Sequence, residues 1–332
     1  MTEGLLKDKF GRTIRDLRIS VTDRCNFRCF YCIPNEDVVW KRKSELLTYE
    51  EIVTLAEVGA GLGIEKLRVT GGEPLVRRDI EHLIEKLSRI PGVRDVALTT
   101  NGDGLGERAR RLRDAGLDRI TISCDSLKPE TFKLITKRDA LRSVIEGIEG
   151  VLAAGFPPPK INCVVIRGMN DGEVADFADF ARETGVSVRF IEYMPLDNGH
   201  KWDRSLLVGG REVLDRIRER HALVPVNRDA PSETALRYGF ADGAPGEIGI
   251  IAPVTEPFCG ACSRIRLTAD GQIRTCLFST IEHSLRDVVR NGASRAEIID
   301  YIESVVFKKE PRHFINDSDF VAPSRSMSFI GG

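Results

Sequence analysis

The sequence predicts an α/β protein built on an incomplete (β/α)6 TIM-like barrel. Three observations carry that expectation. Short β-like runs alternate with amphipathic helical patterns from about residue 17 to residue 194, and repeated βα units imply a parallel sheet. The returns are short, which favours a curved sheet, and six units are two fewer than a closed barrel holds. Several strand candidates also carry polar residues along one face, which a packed interior does not tolerate. A doubly wound open sheet is the structural alternative.

The elements follow in order. Strand candidates are 17–21, 66–70, 96–99, 119–123, 160–165 and 188–193, and helical patterns fill 49–62, 79–88, 107–115, 141–154 and 173–184. Thr48 with Glu51 three residues on reads as a capping box. Glycines 63, 116, 155 and 185 each follow a helical stretch where a left-handed residue is often needed. The segment 32–47 is longer than a usual βα connection, which marks a functional loop. Beyond Leu196 the rhythm changes, so a partial barrel over 1–196 and a C-terminal region over 197–332 are expected. Residues 205–220 include a helical stretch and 230–257 are rich in Gly and Pro. Asp270-Gly271 between 265–267 and 272–274 signals a hairpin. Helical patterns return at 281–290 and 295–306, and no internal repeat or low-complexity tract is present.

Alternate strand residues share a face. One face therefore collects Arg18 and Ser20; Arg68 and Thr70; Arg119, Thr121 and Ser123; Lys160 and Asn162. Unpaired charge in a dry interior costs several kcal/mol or neutralises. The expectation is a ligand-filled lumen lined with cations, its ligands at the C-terminal ends of the strands. Arg119 and Lys160, at strand starts, fit a solvated mouth as well.

Bulk composition narrows the function classes. The 49 basic residues nearly cancel 50 acidic ones, for a net charge of -1 over 332 residues. That argues against a nucleic-acid binder and leaves room for a small anionic ligand held locally. No run of about 18 apolar residues suggests a membrane span, and residues 1–12 lack the apolar core of a secretory signal. Eight cysteines are few for a disulfide scaffold, so a reducing, cytoplasmic compartment is expected. Two of them, Cys124 and Cys163, stand alone in strand-like runs.

The other six cysteines form two triads. Cys25, Cys29 and Cys32 lie within eight residues just past the first strand, and Cys259, Cys262 and Cys276 form a second set. Iron–sulfur cubanes usually take four thiolates. A cubane held by three keeps one iron open for chemistry. Zinc is the alternative at both, with His283 able to complete the second site; no histidine lies near the first. Gly71-Gly72-Glu73-Pro74 ends the second strand, and its glycines let backbone approach a ligand closely.

With Tyr31 before the third cysteine, the first triad reads C-x3-C-x-aromatic-C, and the chain resembles the radical SAM superfamily. That resemblance implies a 4Fe-4S cluster whose open iron chelates S-adenosylmethionine (SAM). It implies SAM contacts at Tyr31, Gly72, Ser123 and Met194. The second triad, with Asp16–Cys25, Arg68–Pro74, Thr99–Gly102, Phe258–Leu267 and the terminal Gly331-Gly332, narrows the resemblance to the GTP 3′,8-cyclase family of molybdenum cofactor biosynthesis. What this resemblance implies is a second 4Fe-4S cluster meeting the guanine of GTP, and GTP contacts at Arg18, Arg68, Thr99, Lys160, Arg264 and Arg266. Arg189 joins them on strand alternation. The implied reaction begins with hydrogen abstraction from C3′ by a 5′-deoxyadenosyl radical and closes a bond to C8. A C-terminal part covering the barrel's open side, a homodimer, an electron donor such as flavodoxin or ferredoxin, and a hand-off to cyclic pyranopterin monophosphate synthase are implied too. The stretch 194–202 is shorter than the family leads one to expect, and Pro157-Pro158-Pro159 is unusually stiff. Two other readings stand: a radical SAM peptide modifier with an auxiliary cluster, and a non-catalytic metal or redox protein.

Overall fold

The computed structural model describes residues 4–33, 38–196 and 202–331. Six strands fall where the sequence puts them: β1 (Asp16–Ser20), β2 (Lys66–Thr70), β3 (Asp95–Thr100), β4 (Arg119–Ser123), β5 (Lys160–Val165) and β6 (Ser187–Glu192). They pair in sequence order and in parallel. Six more follow: β7 (Leu223–Val226), β8 (Leu236–Phe240), β9 (Glu247–Ile251), β10 (Arg264–Leu267), β11 (Gln272–Arg274) and β12 (His283–Ser284). All twelve belong to one sheet, ordered β12-β11-β10-β1-β2-β3-β4-β5-β6-β9-β8-β7.

The C-terminal part thus does more than cover an opening. It adds a parallel strand to each edge of the barrel, β10 beside β1 and β9 beside β6. Eight parallel strands result, flanked by the antiparallel pairs β10–β11 and β8–β9. The sheet does not close, because β7 and β12 stay at opposite ends of the order.

Ten helices among the described residues complete the chain: α1 (Tyr49–Gly61), α2 (Ile80–Ser88), α3 (Ala109–Asp114), α4 (Pro129–Thr136), α5 (Leu141–Ala153), α6 (Val174–Thr184), α7 (Gly210–Arg218), α8 (Leu285–Arg290), α9 (Arg295–Phe307) and α10 (Met327–Ile330). The Thr48–Glu51 capping box opens α1. Glycines 63, 116, 155 and 185 all take positive φ, as their positions require. Leu55, Ile84, Leu112, Ile148 and Phe177 bury the inner helix faces against the strands in one continuous core. That core runs from Leu6 to Val306, so both parts of the chain share it. A second, smaller cluster gathers Leu196, Val254, Phe278 and Ile315 near the cavity described below.

Two departures from the sequence reading have physical causes. The Gly/Pro-rich stretch 230–257 contains β8 and β9. Its Gly249 pairs with Arg189 on β6, and a Cβ there would stand 3.1 Å from Arg189 Cγ. The missing side chain, which weakens the local strand signal, makes room for an arginine. Helix α4 was not signalled because Thr131, Ile135 and Thr136 depress propensity in so short a segment. Pro129 at its first position starts it.

Candidate active site

A single cavity receives side chains from β1 to β6, from β9 and from β10. Strands at both ends of the parallel run therefore face one space, which the curvature of the sheet encloses. It offers about 330 Å³ of space, at the lower end of the roughly 300–1,000 Å³ of an ordinary ligand site.

All six triad cysteines line the cavity. Burial raises the Cys25 thiol to about 11, and Glu73 adds to the effect. Burial also lifts Cys29 and Cys32 well above the usual range. Such thiols release protons only to strong positive charge, which is what iron supplies. At the second triad burial raises Cys259 and Cys276, but at Cys262 the cations Arg264, Lys309 and Arg12 outweigh burial and hold the thiol down. Among the described residues no three His, Cys, Asp or Glu side chains converge as ligands of a single ion. His283 lies on β12 and is absent from the lining; His313 lines the cavity instead.

The Gly71-Gly72-Glu73-Pro74 turn is built around the first triad. A Cβ on Gly72 would lie 2.4 Å from the Arg24 carbonyl, and one on Gly71 would lie 2.7 Å from that of Thr22. Gly72 N–H donates to Thr22 O and Glu73 N–H to Arg24 O. The glycines therefore admit the backbone that leads into Cys25, and their demand is internal to the protein. Glu73 is buried and accepts from Leu75 N, Asn101 N and Thr100 Oγ1. Burial still pushes its carboxyl up to about 7. Asn101 in turn donates to Asn26, the neighbour of Cys25.

The four residues expected at SAM, Tyr31, Gly72, Ser123 and Met194, line the same region. Tyr31 donates its hydroxyl to Asp125, whose buried carboxyl also accepts from Val164 N and is raised to about 6 by burial. Sequence reasoning did not pick out Asp125, although it follows Ser123 by two and so sits at the ligand-bearing end of β4. Residues 197–201 of the shortened stretch lie outside the described residues; Trp202 donates to Tyr193 O at 3.0 Å.

Of the six residues expected at GTP, five line the cavity: Arg18, Arg68, Thr99, Arg264 and Arg266. Strand register sets three of them in a row, Arg266 beside Arg18 beside Arg68. Arg68 donates to Thr99 and Thr121 hydroxyls at 3.1 Å each. Arg189 also lines the cavity, and its buried Nε has no hydrogen-bond partner. None of Arg18, Arg68, Arg189, Arg264 and Arg266 forms an ion pair among the described residues. Burial, then Arg266, Arg68 and Arg264, works against the charge of Arg18. Lys160 sits one pair deeper than the cavity-lining Asn162 on the same face and is not itself in the lining. Burial, then Arg189, Arg119 and Arg68, lowers it to about 7. Arg119 is spent in an ion pair with Asp95. Guanidiniums this crowded and unpaired call for an anion of several charges.

The C-terminal end completes the wall. Arg266 donates to the Gly331 carbonyl, Phe329 stacks on Trp40 with ring centroids 5.9 Å apart, and Met327 lines the cavity. Gly332 lies outside the described residues.

Comparison with known proteins places these features in a family. The model of the radical SAM superfamily matches residues 19–181, and that of Molybdenum Cofactor Synthesis C matches residues 186–315. A GTP 3′,8-cyclase of Streptomyces coelicolor is 43% identical over 99% of this chain and 96% of its own. One from Geobacter sulfurreducens is 44% identical over 98% and 99%. The mitochondrial GTP 3′,8-cyclase of Arabidopsis thaliana is 42% identical over 99% of this chain and 84% of its own. Among solved structures, Streptococcus suis SuiB bound to S-adenosylmethionine superposes with a TM-score of 0.61 at 13% identity, covering 92% of this chain and 68% of that one. At that identity the likeness concerns the fold alone.

Proposed function

This chain belongs to the GTP 3′,8-cyclase family of the radical SAM superfamily, and from that premise we propose how its residues carry the reaction. The family's activity is the first step of molybdenum cofactor biosynthesis: GTP is cyclised between C3′ of the ribose and C8 of the guanine. Cys25, Cys29 and Cys32 would hold a 4Fe–4S cluster, which together with bound SAM would supply the radical chemistry of the superfamily.

The protein's share is to bind, orient and exclude water. Tyr31, Gly72, Ser123 and Met194 hold SAM against the first triad. The amino group of SAM keeps N–H donors that need an acceptor; Gly72 N–H is already spent on Thr22, which leaves carbonyls of the turn for that task. Asp125 fixes the Tyr31 hydroxyl and thereby the ring. Cys259, Cys262 and Cys276 would hold a second 4Fe–4S cluster, whose open iron would meet the guanine. Arg18, Arg68, Arg189, Arg264 and Arg266 take the triphosphate, with Thr99 orienting Arg68 and Lys160 adding charge from below. Both ligands then lie in one enclosed space, and geometry selects the hydrogen removed. The part up to residue 196 carries the first triad and the SAM contacts and the part from 197 the second triad, while residues proposed at GTP come from both, and strands of the second part complete the sheet of the first.

The observation that carries this reading is the row of unpaired guanidiniums in a cavity that both triads share. A peptide modifier has no use for such a row. The resemblance also supports a homodimer, a flavodoxin- or ferredoxin-like electron donor and transfer of product to cyclic pyranopterin monophosphate synthase. Anaerobic turnover with SAM, reductant and GTP deuterated at C3′ tests the assignment. GTP-dependent deuterium in 5′-deoxyadenosine, abolished by Cys25→Ala, is the expected result. SAM cleavage without deuterium transfer in protein carrying both clusters would sink it.

A further inference from the structure

Lys309 lies two residues past α9 and is only 2% exposed. Its ammonium donates to Arg264 O at 3.0 Å and to Thr275 O. No carboxylate pairs with it among the described residues. The adjoining acid, Glu310, accepts from the Thr275 hydroxyl at 2.7 Å instead. Arg12, another buried cation of this region, is matched by Asp8 at 2.5 Å. Two carbonyls solvate a buried ammonium but do not neutralise it, and an unmatched interior charge is costly.

The position of the two carbonyls shows where the missing anion belongs. Arg264 follows Cys262 by two residues and Thr275 immediately precedes Cys276. Lys309 therefore ties together the two chain segments that present the second triad. It lines the same cavity as Cys259, Cys262 and Cys276. The first triad has mixed surroundings, with Asp125 and Glu73 as well as Arg28 as charged neighbours.

We propose that Lys309 is the fixed counter-cation of the second cluster, a positioning residue that favours its assembly and its reduced state. The inference rests on the two-cluster reading given above. A cubane bound by three thiolates carries net negative charge, and reduction adds one more. A fixed positive charge beside it stabilises the reduced form relative to the oxidised one. Taking that charge away makes the second cluster harder to reduce and leaves the first alone.

Two variants separate charge from shape. Lys309→Gln keeps donors for the carbonyls and loses the charge; Lys309→Arg keeps the charge. Each is reconstituted anaerobically beside the wild type, assayed for iron and sulfide, and titrated with dithionite under electron paramagnetic resonance. SAM perturbs the signal of the first cluster and GTP that of the second, which tells them apart. The expected result is a more negative potential for the second cluster in Lys309→Gln, an unchanged first cluster, and near wild-type behaviour in Lys309→Arg. Loss of the second cluster in Lys309→Gln alone supports the proposal equally. An unmoved potential in fully loaded Lys309→Gln overturns it, as does loss of the cluster in both variants, which would make the role one of shape. Iron for only one cluster in the wild type would sink the two-cluster reading itself, whatever Lys309 does.

Discussion

Lys160, held down to about 7 by burial and by Arg189, Arg119 and Arg68, reports on what occupies the space above it. In the unfolded chain its ammonium stays charged to about pH 10.4. Between these two values the folded, ligand-free protein binds fewer protons than the unfolded chain, so its stability rises with pH across that window. Lys160→Met is expected to flatten the rise in a series of thermal melts. A triphosphate nearby restores the charge. GTP binding near pH 8 is then accompanied by proton uptake, measurable by calorimetry in buffers of different ionisation heat and absent in Lys160→Met. Uptake that survives the substitution would remove Lys160 from the triphosphate. Arg68 is expected to act through binding: Arg68→Met raises the KM for GTP roughly tenfold to a hundredfold, the loss of a charge-assisted contact of about 1.5–3 kcal/mol. Unchanged KM would take Arg68 off the substrate. The cysteines and arginines were legible because their residue types carry chemistry and their spacing places them at strand ends. Lys309 and Asp125 were not. Nothing in the local sequence distinguishes a lysine after a helix from any surface lysine; only the fold buries it.

Elements were legible in proportion to their local signal. The six βα units announce themselves by period, and the capping box of α1 stands as read. The strands β7 to β9 were missed because Pro225, Gly239 and Gly249 interrupt them, and partners far along the chain supply what propensity does not. The turn after β2 carries the sharpest prediction at this scale. Gly72→Ala places a methyl 2.4 Å from the Arg24 carbonyl, so the loop that presents Cys25 must move. We expect a loss of about 1–3 kcal/mol in stability and a first triad that no longer loads iron, while the second triad loads normally. Iron and sulfide analysis beside a Cys25→Ala control checks this; full loading of both triads would show that the glycine serves something other than the cluster loop.

At the scale of the whole molecule, the division into a barrel part and a C-terminal part does not mark a folding boundary. β9 and β10 cap the two edges of the six-stranded run, and the core passes through both parts. A fragment ending at residue 196 exposes the bare edges of β1 and β6, each lined with unpaired backbone donors and acceptors. It is expected to associate or precipitate where the full chain does not, as light scattering would show. A monomeric, cooperatively melting fragment would mean that the barrel part folds on its own. That the chain has an α/β architecture was plain from its rhythm. That the sheet is completed from its far end was not, because strand pairing across such a distance leaves no trace in local periodicity.

The pairing of Asp16 with Arg264 has a consequence during synthesis. β1 leaves the ribosome well before its outer neighbour, which lies far along the chain. At roughly 5–20 residues per second, the edge of β1 waits some tens of seconds for β10. Throughout that interval the nascent chain carries an open template for pairing with other chains, and the three cysteines that follow β1 are exposed beside it. Such an edge is an aggregation hazard, and the hazard ends when the strand bearing Arg264 and Arg266 arrives.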